Sequence, residues 1–527
     1  MKRNLRKILG IFAGLLIVLG LRKVHSLASF DSSKASCPDV ILWSSSESSK
    51  ETKILVLPEL EYPLKWEQKG GSIDDASCLN RTIIAGIVQI ESQEDVLNAL
   101  SFASKHNLKV SIAGQQHTMG GHTFVKNGLV LDMKSFKGME LIDNQVIRVQ
   151  AGATWADVQK FLDKSQLAVK AMQSINIFTV GGTISANAHG IDHNPGPINS
   201  TIRKLKIMLP DGKVQTVSRS ENSQLFKHVI GGYGLFGIIL EAELDVIPNE
   251  VYEKSIAYLT YEDFTNYYLS NVHENPDVGL FFARLSIAPG KNYLKEVATH
   301  TYRKTEHSKI PPLNENFNND NISLKRFIIN FSKTGKVGKW LRWYLEKNHN
   351  TLDCITRNTA MSQPDEVCDV TRNSANYDSM AYLKNNLKDT DILQEYFIPF
   401  RNSATFIDQL RTVVIEEGAN LLNVTIRIVR KDTDSVLPYA TEDMFGFVLY
   451  FNHKLSEEDQ VVLNRVTNRL IKDAFSLEGT YYLPYQLVYS KDDLERSYPN
   501  INSFFEEKKR VDPKELLSNQ WYEKYSK

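Results

Sequence analysis

"TIIAGIVQIESQEDVLNALSFASKHNLKVSIAGQQHT" (residues 82–118) changes its periodicity twice. It begins as an apolar run of strand length, Thr82 to Ile90. Ser92 and Asp95 then form a capping-box-like start, after which Val96, Leu100 and Ala103 recur at helical spacing. Asn107 to Gly114 reads as strand again. The sequence therefore predicts a β-α-β unit with parallel strands. Its second strand runs into Gly114-Gln115-Gln116-His117-Thr118, a turn whose backbone N–H groups can form an anion-binding nest. A pyrophosphate is the natural guest of such a turn.

Outward from this unit the pattern continues. "GLVLDM" (128–133) and "QVIRVQAG" (145–152) read as strands. A second capped helix is predicted at Thr154, with Asp157 three residues on and Trp155, Val158 and Phe161 or Leu162 facing inward. "RKLKIMLPDGKVQTVS" alternates Leu205, Ile207 and Leu209 before Pro210-Asp211-Gly212, the mark of a hairpin. After Pro248 the segments become longer and richer in aromatics, interrupted by a polar Pro/Asn loop at 305–322. The predicted layout is a Ser-rich connector at 29–78, an α+β body at 79–249, a second domain at 250–485 and a C-terminal return at 486–527.

The gross numbers exclude some classes. Among 527 residues, 62 basic side chains balance 62 acidic ones, so no overall attraction to nucleic acid is implied. The 42% hydrophobic content supports a large core. Four cysteines are too few for a disulfide scaffold; Cys354 and Cys368 are close enough in sequence to pair. At the N-terminus, Lys2, Arg3, Arg6 and Lys7 precede an apolar run from Ile8 to Leu21, too short for the roughly 20 residues of a membrane span. Residues 1–28 are therefore expected to be an export signal or a membrane anchor, with Ser26-Leu27-Ala28 as a cleavage site. Leu324 to Lys347 is basic, with Trp340, Trp343 and Tyr344 interleaved. We expect a domain-surface helix that buries its aromatics, the other reading being an interfacial membrane helix.

"GGYGLFG" contains Gly232-x-Gly234-x-x-Gly237, the dinucleotide pattern that works only between a strand and a following helix. Here "IILEAELDVI" (238–247) follows, and it alternates as a strand does. The context excludes a Rossmann site. The glycines fit a close approach of backbone to a flat ligand or to another strand, and both readings stay open.

Three glycine-rich segments, "KVSIAGQQHTMGG", "TVGGTISANAHG" and "GGYGLFGIILEAEL", follow one another in an order that resembles the FAD-binding domain of the vanillyl-alcohol oxidase / p-cresol methylhydroxylase (PCMH) superfamily. The second block is similar to the segment of sugar-acid lactone and alditol oxidases, and "KKRVDPKELLSNQW" (508–521) to the C-terminal segment that folds back toward the flavin. The resemblance implies an α+β fold, with a PCMH-type two-subdomain FAD-binding domain plus an α+β substrate (cap) domain. It implies FAD contacts from Ala113, Gly114, Gln115, Gln116, His117 and Thr118. Further contacts are implied from Gln173, Ser174, Thr179, Gly181, Gly182, Thr183, Ser185, Ala186 and His189, and from Gly237, Ile238, Ile239 and Asn519. In many relatives the histidine at the position of His117 is bonded covalently to the flavin 8α-methyl carbon, while others bind FAD without that bond. No cysteine lies in 173–190, so a second link is not expected.

His122 falls outside the matched position and reads as a structural or surface histidine. With no nearby Cys, Asp or Glu, the two histidines offer no metal-ligand set. For the chemistry, the resemblance implies hydride transfer from a small-molecule substrate to flavin N5. Arg427 is the first candidate for charge stabilisation, with Glu395, Tyr396, Tyr485 and Gln486 as further pocket residues and His189 near the ring. Lactone oxidases carry Glu-x-Arg where this chain has Thr425-Ile426-Arg427, which puts a sugar-lactone substrate in doubt. The expected function is an FAD-dependent oxidase or dehydrogenase acting on an alcohol, hydroxy acid or sugar. The alternatives are an NADPH-dependent reductase on the same fold and a membrane-tethered binding protein without turnover. Oxygen, a quinone and a cytochrome all stay open as electron acceptor.

Overall fold

The Ser92 hydroxyl accepts the N–H of Asp95 while the Asp95 carboxylate accepts the N–H of Ser92. This capping box starts α1 (Gln93–Lys105), which buries Val96, Leu100 and Ala103 as the spacing predicts. The computed structural model describes residues 64–306, 310, 313, 322–348, 354–362 and 389–527. The N-terminal segment 1–28, the connector up to residue 63, most of the polar loop and the Cys354–Cys368 pairing lie outside the described residues. Cys78 is disulfide-bonded.

The chain begins with β1 (Trp66–Lys69), a short ribbon of β2 (Ser72–Ile73) and β3 (Thr82–Ile83), then β4 (Gly86–Gln89). After α1 come β5 (Val110–Ala113) and β6 (Leu129–Asp132). The first sheet has the order β1-β4-β6-β5. β4 and β5 are parallel, but β6 lies between them and pairs parallel with both. Leu129, Val130 and Leu131 are buried on both faces, which suits the central place. β1 pairs antiparallel with β4, so the sheet starts at Trp66, inside the stretch that reads as connector.

The second sheet is built from β7 (Met139–Asp143) and β8 (Val146–Gln150), then β9 (Leu167–Val169), β10 (Ile202–Met208), β11 (Val214–Ser218) and β12 (Ile238–Pro248). Its order is β11-β10-β12-β8-β7, with β9 also on β12. β12 buries Ala242, Leu244 and Val246 and turns Glu241, Glu243 and Asp245 to the other face, where Lys206, Arg148 and Arg203 pair with them. That alternation is why no helix follows the glycines. α2 (Trp155–Asp163), capped by Thr154 and Asp157, buries Trp155, Val158 and Leu162.

The third sheet holds β13 (Val251–Thr260), β14 (Val278–Leu285), β15 (Glu296–Lys304), β16 (Cys354–Thr356), β17 (Asp389–Pro399), β18 (Asn420–Val429), β19 (Met444–Lys454) and β20 (Thr480–Tyr481). They run in the order β16-β13-β15-β14-β18-β19-β17-β20, and neighbours are antiparallel. The basic aromatic stretch is two helices, Ile322–Lys333 and Lys336–Asn348, rather than one. Trp343 is buried and donates to Glu296 at 2.9 Å, whereas Trp340 and Tyr344 are exposed, which departs from the expectation that this stretch buries its aromatics. Among the described residues no helix is long and apolar enough to cross a membrane.

The C-terminal segment closes the first sheet. Val110 donates to the Leu516 carbonyl at 2.7 Å, and Ser518 donates back to Val110 at 2.8 Å. The turn that delivers this segment rests on a buried ion pair. Asp512 accepts from Lys508 Nζ at 2.5 Å and from the Leu517 N–H at 2.8 Å. Asp512→Ala strands a buried ammonium and frees the turn, so we expect a loss of about 3 kcal/mol, read as a lower urea midpoint of the full chain.

Candidate active site

β5 ends at Ala113, and the chain turns through Gly114–Thr118 with Gln116 left-handed at φ 56°. The turn is held from two directions. Ala76 donates to the Gln116 carbonyl at 3.0 Å, and Asp75 accepts the Gly121 N–H at 3.0 Å. From the other end of the chain, the Pro484 carbonyl accepts from Met119 at 2.7 Å. Asp75 went unnoticed in the sequence because it lies in the weakly patterned connector; its only local signal is the Asp-x-Ser turn it makes with Ser77.

The segment "TVGGTISA" lies against this turn and is a short helix, α3 (Val180–Ala186), despite its two glycines. The Thr179 hydroxyl caps it by accepting the Gly182 N–H at 3.3 Å, and Asn187, left-handed at φ 47°, ends it. Its glycines serve close packing. Gly181 donates to the Ala151 carbonyl at 2.8 Å, and a Cβ there would stand 2.7 Å from the Ala151 methyl.

Two confluent clefts open between these elements, with volumes of about 590 and 900 Å³. They share Gly114, Thr118, Thr123, Thr179, Gly182 and Ala186 as a neck. The smaller is framed by Ala113, Gly181, Ser185 and Gly237 to Ile239. The larger takes Gln115 to His117, Gln173, Ser174, Thr183 and His189 from one side, and Leu393, Glu395, Arg427 and Val448 from the third sheet. Of the predicted cofactor contacts, Asn519 alone lies away from both. It caps the last helix, accepting from Tyr522 at 2.9 Å and donating to the Tyr233 carbonyl at 3.0 Å.

In the larger cleft, His189 Nε2 and Glu395 Oε1 are 2.5 Å apart, and each side chain is 2% exposed. The Tyr485 hydroxyl donates to the second Glu395 oxygen at 3.4 Å. Burial, reinforced by the Glu395 charge, pushes the Tyr485 hydroxyl well above its ordinary value. The sheet register sets Glu395 opposite Val448 and Arg427 opposite Gly446, so the carboxylate and the guanidinium flank β19 diagonally. Gly446 leaves room for the pair: a Cβ would lie 3.3 Å from both Glu395 Oε1 and His189 Cε1. The His117 ring lies against Phe178, with centroids 4.4 Å apart.

Two catalytic candidates are elsewhere. Tyr396 follows Glu395 in a strand and so faces the other side of the sheet, bonded to Gln394 at 2.8 Å and packed on Phe406. Gln486 turns its amide to the Met119 carbonyl and to Ser77 Oγ, supporting the turn without lining either cleft. His122 is not on the surface; it is buried and lines the smaller cleft.

The two lobes fit a dinucleotide. Thr118 Oγ1, Thr123 Oγ1 and Ser174 Oγ are buried in the lining with no hydrogen-bond partner among the described residues, as is Arg427 Nε. Buried polar atoms of this kind call for a polar ligand. Residues 84–218 match the family described as an FAD binding domain, FAD_binding_4. This part of the chain is an FAD-binding domain, and FAD is its cofactor.

Cytokinin dehydrogenase 2 of Arabidopsis thaliana is 31% identical over 188 residues, covering 34% of this chain and 37% of that protein. The FAD-dependent monooxygenase tpcD of Cochliobolus heterostrophus is 28% identical over 167 residues, covering 31% and 32%. The FAD-linked oxidoreductase hasG of Aspergillus fumigatus is 27% identical over 171 residues, covering 32% and 36%. The chain spans about a third of the length of these curated relatives. By name they are a cytokinin dehydrogenase, an FAD-dependent monooxygenase and an FAD-linked oxidoreductase, not specifically the sugar-lactone oxidases that the second block resembles.

A Cβ on Gly114 would sit 2.1 Å from Thr179 Oγ1, at the neck between the clefts. Gly114→Ala must displace the hydroxyl that caps α3, a loss of about 1 kcal/mol, and narrow the neck. In a His117→Ala background, where no covalent bond can hide release, we expect about tenfold weaker FAD retention, about 1.4 kcal/mol, measured as the flavin-to-protein absorbance ratio after gel filtration.

Proposed function

We propose that the protein is an FAD-dependent oxidoreductase that oxidises a hydroxyl-bearing carbon of an alcohol, a hydroxy acid or a sugar-type molecule. The observation that carries this reading is the buried His189–Glu395 pair, 2.5 Å apart, in the same cleft as Arg427. FAD, when bound, supplies the acceptor for two electrons and one hydrogen as hydride. The protein does the rest. The His189–Glu395 pair takes the hydroxyl proton as the C–H bond of the same carbon breaks, leaving a carbonyl product. Arg427 stabilises the negative charge that develops during transfer. Phe178, Leu393, Val448 and Tyr482 line the cleft with apolar surface that excludes water from the reacting carbon. His117, in the lining of the larger cleft, would be the residue to hold the flavin covalently, at its 8α-methyl carbon. Reoxidation would fall to a second substrate or partner (oxygen, a quinone or a cytochrome), and residues 1–28 would direct the protein to export or to a membrane.

The test begins with the visible spectrum of the purified chain and its precipitation with acid. Yellow colour in the pellet, moved to the supernatant by His117→Ala, supports the covalent bond; colour in the supernatant of the parent rules it out. Anaerobic bleaching is then scored with alcohols, hydroxy acids and sugars, with NADPH, and with a cytokinin because of the relatives' names. Bleaching by NADPH or by the cytokinin alone would sink the alcohol reading. Glu395→Gln should keep the flavin spectrum and slow substrate-driven bleaching by about 10²- to 10⁴-fold.

A further inference from the structure

The helix Lys336–Asn348 leaves one face to solvent, and that face is aromatic. Val337, Trp340 and Tyr344 recur at i, i+3 and i+7 and are 70%, 52% and 48% exposed. The rings of Trp340 and Tyr344, one turn apart, stack at 5.4 Å and 17°. Tyr258 of β13 extends the line. It is exposed as well, and its hydroxyl donates to the Lys347 carbonyl at 3.3 Å. No other Trp or Tyr among the described residues is exposed. Three amphipathic rings gathered in one patch are not the scatter of single apolar side chains that any surface carries.

The ion pairs around the patch leave it basic. Glu346, the one acid of the helix, turns inward to Arg284. Lys347 sits 4.8 Å from the centre of the Tyr258 ring and pairs with Glu296 at 2.5 Å. Lys336, exposed at the start of the helix, and the half-buried Lys339 carry the excess positive charge. Exposed Trp and Tyr suit either the core of a protein interface or the headgroup layer of a bilayer. Lysine separates the two, being depleted at protein interfaces and favoured beside anionic lipid.

We propose that this face docks on an anionic membrane surface, with Trp340, Tyr344 and Tyr258 among the headgroups and Lys336 against their negative charge. The helix stands on the side of the third sheet that bears the larger cleft. Arg284, which holds Glu346, lies opposite Thr425, two residues from Arg427 in β18. Lys333, at the end of the preceding helix, pairs with Asp391, four residues from Glu395 in β17. Docking therefore sets the bilayer on the cleft side of that sheet. The inference does not depend on the reaction proposed above.

The test adds the full chain to vesicles of phosphatidylcholine, with or without phosphatidylserine, whose acyl chains carry bromine, and reads the quenching of tryptophan fluorescence. Residues 1–28 would hold the chain on a vesicle without this face, so quenching at position 340 decides and co-sedimentation does not. With phosphatidylserine the parent should be quenched, and Trp340→Ser should lose that share of the quenching while keeping its flavin spectrum. Lys336→Gln, which keeps every ring, should move the titration about fivefold to higher lipid, matching the contribution of about 1 kcal/mol from one lysine near an anionic surface. Equal quenching in the parent and in Trp340→Ser overturns the proposal, as does quenching that ignores both phosphatidylserine and Lys336→Gln. A concentration-dependent dimer that Trp340→Ser dissolves, with no vesicle quenching, overturns it too and makes a second copy the occupant. Tyr344→Ser, with Trp340 in place, gives the same comparison should Trp340→Ser not fold.

Discussion

The hydroxyl of Thr179 stands where the cofactor turn packs against the start of α3. It caps α3, and it fills the volume where a side chain at position 114 would stand. The Thr179 backbone bridges Thr154, the cap of α2, so one residue joins two helix starts and the end of a parallel strand. No single bond in this arrangement exceeds the usual strength of a cap. Its importance is geometric, because the lining of both clefts is measured from it.

The other end of α3 belongs to the third sheet. The Tyr482 hydroxyl donates to the Ala186 carbonyl at 2.7 Å, and that of Tyr439 to the Asn187 carbonyl at 2.6 Å. Asp432 accepts from the amides of Asn187 and Asn199 at 2.9 and 2.5 Å. These bonds satisfy carbonyls that the helix itself leaves unpaired. They also fix β17 and β18 relative to α3, so that Glu395 reaches His189 across two domains distant in sequence. A buried Arg357–Asp192 pair, with Arg357 also donating to the Val169 carbonyl, ties the same domains at another point.

Much of this was legible in the residues. Alternation in 238–247 ruled out a helix after the glycines, and two capping boxes located α1 and α2 to the residue. The order of three glycine-rich segments, through the family they resemble, pointed to the cofactor. What stayed hidden has physical causes. α3 is made of Val, Gly, Thr, Ile, Ser and Ala, mostly weak helix formers, and it forms because Ala151 and Thr179 hold its first turn. Glu395 and Tyr396 are adjacent in a strand, and adjacent residues cannot face one cleft; only the sheet's packing on its helices decides which one does. Leu393 and Val448 look like ordinary core residues. Gln486 and His122 lie on irregular backbone, where no period tells inside from outside.

The pairing of Val110 with Leu516 and Ser518 has a consequence for timing. β5 carries the cofactor turn at its end, yet its outer edge is covered by a segment roughly 400 residues later in the chain. At ribosomal speeds that interval is on the order of tens of seconds. During it the nascent first sheet presents a bare strand edge, the kind of surface that recruits other strands. The flavin turn therefore matures late, from two distant parts of the message, and the growing polypeptide depends on whatever shields that edge meanwhile.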